Sequence, residues 1–281
     1  MPDRGTTDQT TTGPQTEGSS LGLRDLAAAI LAGGLGTRLR SVVPDRPKVL
    51  AQVNGRPFLT YLLDQVAAAG IKRAVLCTGY FGEQVQHVLG ETYEGMQLVY
   101  SQEPTPCGTA GALALAAPLL QSDPVFVMNG DSYCDVDLAA LWQFHQAKQA
   151  AGSVVLANVP DASRYGCVEL DEDGHLLRFV EKRDTHAGNA ASATPVCNGT
   201  RRVPAQSAIC IPAWINAGIY LLACDLLGQI PTARAVSLER ELFPCWIGRR
   251  LYGYCSDGAF VDIGTPESYS QARPFFARLR A

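Results

Sequence analysis

The sequence predicts an α/β fold in which a mostly parallel sheet is flanked by helices. Short apolar runs alternate with amphipathic segments between residues 26 and 150, and the first run, Leu26–Ala32, ends in glycines. This alternation is typical of βαβ units, which build parallel sheets covered by helices on both faces. Beyond residue 152 the runs become short strands with tight connections, which predicts a smaller β-rich portion attached to that sheet.

Four strand and helix pairs make up the first half. The clearest helix begins at Pro57 and ends before Gly70, with its apolar residues on one face. The continuous apolar run Pro124–Asn129 predicts a strand buried on both faces. The predicted strands of this half are Leu26–Ala32, Arg73–Thr78, Gln97–Ser101 and Pro124–Asn129. The predicted helices are Pro57–Ala69, Phe81–Leu89, Thr109–Ala117 and Asp137–Ala150.

Short strands dominate the second half. Asp173–Gly174 predicts a hairpin turn between two of them. The predicted strands are Ser153–Asn158, Gly166–Leu170, Leu176–Glu181, Ile215–Leu222, Arg249–Tyr254 and Ala259–Val261. Helices are predicted over Leu238–Phe243 and Pro266–Leu279.

The 281 residues are enough for one large domain. We expect a disordered tail over residues 1–22, which are rich in Thr, Gly, Gln and Ser and carry almost nothing apolar. A single domain over residues 23–281 follows, with halves of about 23–150 and 151–265. Within the second half, residues 184–212 lack periodicity and predict an insertion loop on the surface.

Composition and charge exclude several classes of function. A net charge of −4 argues against a general nucleic-acid or membrane-surface binder. No apolar run approaches the roughly 20 residues that span a membrane, and the tail lacks the pattern of a signal peptide. Nine cysteines without a CxxC pair predict reduced thiols and a cytoplasmic location. The four histidines are scattered, so no zinc site is expected.

The strongest motif is the glycine-rich run LAGGLGTRLR at residues 31–40, followed by Pro47–Lys48. Glycines after a strand let backbone amides turn toward an anion, and Arg38 can fork onto phosphate oxygens. A dinucleotide-binding fingerprint would need Gly or Ala where this chain has Leu39. A P-loop would need Gly-Lys-Ser/Thr, which is absent. The loop is therefore expected to bind phosphates in a third way.

This run, with Pro-Lys nine and ten residues after the arginine, resembles the signature of sugar-1-phosphate nucleotidyltransferases. The resemblance extends from Ala27 to about Tyr269. Further segments match the family in order: Glu103 to Ala112, Asn129-Gly130-Asp131, Tyr165-Gly166, Phe179 to Lys182, Asn216-Ala217-Gly218 and Phe260 to Pro266. The family fold is a Rossmann-like sheet of glycosyltransferase-A type. The resemblance therefore implies a nucleotide-binding first half and a sugar-phosphate-binding second half.

The resemblance also implies the roles of individual residues. Arg38, Lys48, Asp131 and Lys182 are the expected catalytic residues. The expected nucleotide-binding residues are Leu31, Ala32, Gly33, Gly34, Gly36, Thr37, Arg38, Lys48, Glu103, Gly108 and Thr109. The expected sugar-phosphate-binding residues are Gly166, Glu181, Lys182 and Asn216. Asp131 and Asp262 both follow buried strands and are the expected ligands of Mg²⁺, which takes one or two carboxylates together with phosphate oxygens and water.

The implied reaction joins a nucleoside triphosphate to a sugar 1-phosphate and releases pyrophosphate. No protein nucleophile is required, because transfer of this kind relies on positioning and charge stabilisation. Among family members the chain is most like D-glycero-α-D-manno-heptose 1-phosphate guanylyltransferases, which makes GTP and that heptose phosphate the expected substrates. The alternatives are a mannose-1-phosphate guanylyltransferase, a uridylyl- or thymidylyltransferase for a hexose 1-phosphate, and a non-catalytic sensor of nucleotide sugars. A homo-oligomer is compatible with the sequence, and no C-terminal β-helix is expected after the last motif.

Overall fold

A computed structural model describes residues 21–160, 162, 165, 167–180 and 214–279. The predictions for residues 1–20 of the tail and for the 184–212 insertion lie outside these residues. In chain order the strands are β1 (Ala27–Leu31), β2 (Gln52–Val53), β3 (Arg56–Pro57), β4 (Arg73–Thr78), β5 (Thr92–Tyr93), β6 (Met96–Gln102), β7 (Val125–Asn129), β8 (Ser132–Cys134), β9 (Gly152–Asn158), β10 (Cys167–Leu170), β11 (Leu176–Val180), β12 (Trp214–Leu222), β13 (Leu251–Ser256) and β14 (Phe260–Asp262). The α-helices are α1 (Leu59–Ala68), α2 (Gly82–Leu89), α3 (Gly108–Leu120), α4 (Leu138–Ala147), α5 (Cys224–Leu227), α6 (Phe243–Trp246) and α7 (Pro266–Leu279).

The main sheet is mixed, and its centre is parallel. Strands β7, β1, β4 and β6 lie side by side in parallel, with Leu31 opposite both Cys77 and Asn129. The loops that follow these four strands therefore leave the same edge of the sheet. Strand β12 runs antiparallel to β7 and continues the sheet through β9, β10, β11 and β13. The predicted α/β class is confirmed, and the parallel strands belong mainly to the first half.

Helices cover both faces of the sheet. This is required because successive side chains of a strand point to opposite faces, and here both sets are apolar. Along β1, Ala28 and Ile30 pack into one apolar cluster with α1, α4 and α7, while Ala27 and Ala29 pack into a second cluster with α3, α5 and α6. Side chains two residues apart share a face of a strand, so each face is apolar. The core thereby fixes the edge from which the functional loops emerge.

Most predicted elements are confirmed with small shifts at their ends, and the closing helix Pro266–Leu279 has the predicted bounds. The short strands β2, β3, β5 and β8 were not predicted, because two or three residues show no periodicity. The single helix predicted over Leu238–Phe243 is wrong in detail, since a π-helical turn at Leu238–Leu242 precedes α6. The prediction of reduced thiols holds at Cys77, Cys107, Cys134, Cys224 and Cys255. It is wrong at Cys245, which forms a disulfide.

Candidate active site

A cavity of about 490 Å³ opens at the edge of the sheet where β1, β4, β6 and β7 end. In open α/β sheets, ligands bind outside the carboxyl ends of the parallel strands. Ten residues from the predicted site line this cavity: Leu31, Ala32, Gly33, Gly34, Arg38, Lys48, Glu103, Gly108, Thr109 and Asp131. Gly36 and Thr37 belong to the same loop but are not part of the cavity wall. The fold thus collects residues that are up to 100 positions apart in the chain.

The glycine-rich loop needs glycine at two positions for different reasons. A Cβ on Gly33 would lie 2.6 Å from Glu103 Oε1 and 3.2 Å from the Gly79 nitrogen. Gly36 has a φ of +59°, and a Cβ there would lie 3.2 Å from the Lys48 Cβ. The loop therefore passes directly over the Glu103 carboxylate and beside the Lys48 side chain, which no residue with a Cβ would permit without displacement.

Lys48 and Asp131 form an ion pair inside the cavity. The Lys48 side chain is 16% exposed and that of Asp131 34%. Burial is the largest single influence and would raise the pKa of Asp131, but the charge and hydrogen bond of Lys48, helped by a backbone hydrogen bond and the charge of Arg38, outweigh it and lower that pKa. Asp131 is therefore ionised at neutral pH, and the wall of the cavity holds its carboxylate beside the Lys48 side chain.

Glu103 presents its carboxylate to the cavity from the end of β6. Its Oε2 accepts hydrogen bonds from the Cys107 N–H at 3.0 Å and the Cys107 thiol at 2.8 Å. Burial and the neighbouring Glu103 carboxylate raise the pKa of Cys107 to about 11, so the thiol stays protonated and donates. Within the described residues, Oε1 is left to accept from a ligand.

A second cavity of about 810 Å³ adjoins the first and shares Gly33, Leu35, Glu103 and Pro106 with it. Tyr80, Phe81 and Gln102 contribute to its other walls. Glu103 thus lines both cavities, whereas the cations Arg38, Lys48 and Arg240 line only the first.

Backbone pairing between β14 and β8 brings Asp262 close to Asp131. Strand β14 pairs with β8, with Asp262 opposite Ser132, and the Ile263 N–H donates to the Asp131 carbonyl at 2.9 Å. The Asp262 carboxylate accepts hydrogen bonds from Tyr165 Oη at 2.5 Å, Ser268 Oγ at 2.8 Å and the Gly264 N–H at 2.7 Å. These bonds fix the orientation of the carboxylate.

Two hard carboxylates, Asp131 just before β8 and Asp262 at the end of β14, fit Mg²⁺, which would complete its coordination with phosphate oxygens and water. No group of three or more His, Cys, Asp or Glu side chains in the described part of the chain could hold a metal by protein ligands alone. Asp131 and Asp262 are the residues that would hold the ion, and the Lys48 ammonium is the present partner of Asp131.

The expected acceptor side is described only in part. Gly166, Glu181 and Lys182 lie outside the described residues. Asn216 is present on β12, where its side-chain amide donates to Tyr220 Oη at 2.8 Å and accepts from the Gly218 N–H at 3.0 Å. Asn216 does not line the main cavity.

Sequence reasoning missed several residues of the cavity wall. Ser237, Glu239 and Arg240 line it from the π-helical turn, and Asn129 lines it beside Asp131. The Asn129 Oδ1 atom is buried and accepts no hydrogen bond within the described residues. Glu239 is a buried carboxylate that is only 8% exposed. In the sequence, Glu239 is an acidic residue in an amphipathic stretch. The same pattern is typical of the solvent-exposed face of a helix, so the sequence does not distinguish the two.

A profile of the family described as nucleotidyl transferase matches residues 27–278. That range contains the glycine-rich loop, the Lys48–Asp131 pair and Asp262. The chain belongs to the nucleotidyl transferase family. Across residues that the structure describes, no helix of this nucleotidyl transferase is both long and apolar enough to cross a membrane.

Curated relatives and solved structures are similar over most of this family member. The chain is 35% identical to a mannose-1-phosphate guanylyltransferase from Mycobacterium tuberculosis over 246 residues, which is 86% of this chain and 62% of that protein. It is 31% identical to a D-glycero-alpha-D-manno-heptose 1-phosphate guanylyltransferase from Aneurinibacillus thermoaerophilus, covering 88% of this chain and 97% of that one. HddC from Yersinia pseudotuberculosis, crystallised with GMP-PN, superposes with a TM-score of 0.71 at 27% identity over 89% of this chain and 99% of HddC.

Proposed function

We propose that this protein transfers a guanylyl group from GTP to a sugar 1-phosphate, with D-glycero-α-D-manno-heptose 1-phosphate as the first choice of acceptor. The observation that carries the proposal is the cavity at the sheet edge, where the glycine-rich loop, Arg38, Glu103 and the Lys48–Asp131 pair meet. The heptose relative, which is 31% identical over 88% of this chain, supports this acceptor.

Positioning and charge neutralisation account for the chemistry. An oxygen of the acceptor phosphate forms a bond to the α-phosphorus of GTP, while the bond from that phosphorus to the bridging oxygen breaks and pyrophosphate leaves with the electron pair. Lys48 and the exposed Arg38 both line the cavity. We expect Lys48 to neutralise charge on the α-phosphate and Arg38 to bind the phosphates that leave. Mg²⁺ held by Asp131 and Asp262 would neutralise further phosphate charge. Lys182 remains the predicted partner of the acceptor phosphate.

Glu103 supports the choice of guanine. Its Oε1 can accept from the N1–H and exocyclic amine of guanine, whereas adenine has an unprotonated N1 and lacks that amine. A buried site that pairs such donors can reject analogues without them by about 10⁴-fold, because its own polar groups would stay unpaired. We therefore expect a large preference for GTP over ATP, UTP and dTTP in kcat/KM.

Mannose 1-phosphate is the second candidate acceptor, because the M. tuberculosis relative and several others are named for it. The two acceptors differ by one hydroxymethylene group, which a pocket wall discriminates only about 10–200-fold. A non-catalytic sensor is less well supported, since the chain retains Arg38, Lys48 and both predicted metal ligands.

The deciding experiment measures pyrophosphate release across a matrix of nucleoside triphosphates and sugar 1-phosphates. We expect the highest kcat/KM for GTP with a manno-configured acceptor, and loss of the signal in a Lys48→Ala variant. A higher kcat/KM for UTP or dTTP with glucose 1-phosphate would overturn the guanylyl assignment alone. No release with any pair, in a protein that binds GTP, would instead favour the sensor.

A further inference from the structure

Glu239 is a buried carboxylate in the wall of the main cavity. Although it is only 8% exposed, it makes no ion pair within the described residues, and three hydroxyl groups donate to it instead. Thr109 Oγ1 and Ser237 Oγ donate to Oε2 at 2.9 and 3.0 Å, and Tyr220 Oη donates to Oε1 at 3.2 Å. Burying a carboxylate is unfavourable unless it is hydrogen-bonded, so these three contacts are what allows it to lie there.

The donors come from both sides of the site. Thr109 is the second residue of α3, whose first turn lines the cavity, and its hydroxyl also accepts from the Leu238 N–H at 2.8 Å. Tyr220 lies on β12, is fully buried, and accepts the hydrogen bond from Asn216. A continuous chain of hydrogen bonds therefore runs from the nucleotide-side helix through Glu239 to the acceptor-side strand.

Backbone contacts join the Glu239 segment to the start of α3. The Ala110 N–H donates to the Val236 carbonyl at 3.0 Å, and the Val236 N–H donates to the Cys107 carbonyl at 2.9 Å. Glu239 adds the charge-assisted contacts at the end of this junction, which are stronger than bonds between neutral groups. Its loss would loosen the first turn of α3 and the Tyr220 hydroxyl together.

We propose that Glu239 is a positioning residue that holds the start of α3 and strand β12 in one fixed arrangement, so that the two phosphates meet at the geometry the transfer needs. This inference rests on the proposed function. Small displacements of bound groups reduce rates strongly, because effective concentration depends on orientation. Glu239 acts through Thr109 and Tyr220 and is not required to touch either substrate.

Three variants separate the two branches of the network. Glu239→Gln keeps the volume of the side chain but replaces one acceptor oxygen with a donor, so the three hydroxyls cannot all donate. Tyr220→Phe removes the hydroxyl that joins Glu239 to β12 and that also accepts from Asn216. Thr109→Val removes the hydroxyl that joins Glu239 to α3 and that also accepts from the Leu238 N–H. Glu241→Gln is the matched control: it removes a charge from the same helical turn, outside the cavity wall, and keeps an oxygen that can accept from the Ser237 N–H.

The measurements are KM for each substrate, kcat, the affinity for GTP by calorimetry and the melting temperature. We expect Glu239→Gln to lower kcat/KM for both substrates by about 10- to 100-fold, the range for loss of hydrogen bonds to a charged group. Tyr220→Phe should raise KM for the acceptor several-fold at unchanged GTP affinity, and Thr109→Val should weaken GTP binding. The double variant Glu239→Gln/Tyr220→Phe should be no worse than Glu239→Gln, and Glu241→Gln should stay within about twofold of wild type.

A lower melting temperature with both KM values and the GTP affinity within twofold of wild type would show a purely structural role and overturn the proposal. If Glu239→Gln fails to fold, Tyr220→Phe decides: a raised acceptor KM supports the proposal and an unchanged one overturns it. Absence of turnover in wild type would refute the proposed function instead. In that case GTP affinity, which needs no turnover, decides this proposal: weaker binding by Glu239→Gln or, if that variant does not fold, by Thr109→Val supports it, and unchanged binding overturns it.

Discussion

Gly33→Ala and Gly34→Ala form a matched pair within one loop. A Cβ at residue 33 would lie 2.6 Å from Glu103 Oε1 and 3.3 Å from the carbonyl carbon of Thr78, whereas a Cβ at residue 34 meets nothing within 4 Å. Overpacking of this kind costs about 1–3 kcal/mol, and alanine returns about 0.4–1 kcal/mol by restricting the unfolded chain. We expect Gly33→Ala to lose roughly 1–2 kcal/mol, or about 2–8 °C in melting temperature. Gly34→Ala keeps this gain without the overlap and should be about 0.4–1 kcal/mol more stable than wild type.

The same pair tests the role of Glu103 in choosing the base. The Glu103 carboxylate must move to admit the new methyl group, so Gly33→Ala should reduce the ratio of kcat/KM for GTP to that for UTP by about 10-fold or more. The ratio cancels any change in phosphate binding, because both nucleotides carry the same triphosphate. Gly34→Ala should keep the wild-type ratio. Equal stability and equal ratios in the two variants would refute the assignment of Glu103 as the residue that reads the base.

Three other predictions follow from the ion pair, the carboxylates and a buried histidine. Lys48→Ala should lower kcat by about 10²–10³-fold, as measured by pyrophosphate release, while Lys72→Ala, which removes an exposed lysine outside the cavity wall, should leave it unchanged. Asp131→Asn and Asp262→Asn should each lower turnover roughly 10³-fold, and EDTA should inhibit wild type; full activity in either case would contradict the two-carboxylate metal site. Burial lowers the pKa of His145 to about 4 in the folded protein, so as the pH is lowered the unfolded chain is protonated before the folded one. The free energy of unfolding should therefore decrease by up to about 3 kcal/mol as the pH is lowered from 6.5 to 4. Urea unfolding of His145→Gln should lack that part of the pH dependence.

The sequence could predict the edge of the sheet because strand ends and glycine-rich loops are local features. Leu26–Ala32 and Arg73–Thr78 are apolar runs whose ends are marked by the residues that follow, and parallel strands bring such ends together. The sequence placed both Lys48 and Asp131 in the site, Asp131 from the strand end and Lys48 from the family resemblance. It did not predict that the two form an ion pair, because they lie 83 positions apart in the chain.

Glu239 could not be predicted in the same way. Its burial depends on three hydroxyls from Thr109, Tyr220 and Ser237, which no spacing rule connects. The sequence around it, Ser-Leu-Glu-Arg-Glu, is the pattern of a capped surface helix. Only the π-helical turn places the carboxylate inward, and a π-helical turn has no signature in a single sequence.

The Lys48–Asp131 pair explains how a strongly charged site can exist before substrates arrive. A buried charge without a partner is unfavourable, so an isolated ammonium and an isolated carboxylate at this depth would each destabilise the fold. Paired with each other, the two charges compensate one another, and Lys48 lowers the pKa of Asp131. Under the proposed function each has a second partner, the triphosphate for Lys48 and Mg²⁺ for Asp131, and the two arrive together because the ion accompanies the nucleotide. The exchange then replaces one ion pair with two and leaves neither charge uncompensated, so nucleotide and metal should bind with positive cooperativity. The affinity for GTP measured with and without Mg²⁺ should differ strongly in wild type and much less in Asp131→Asn, and an equal difference in both proteins would contradict the exchange.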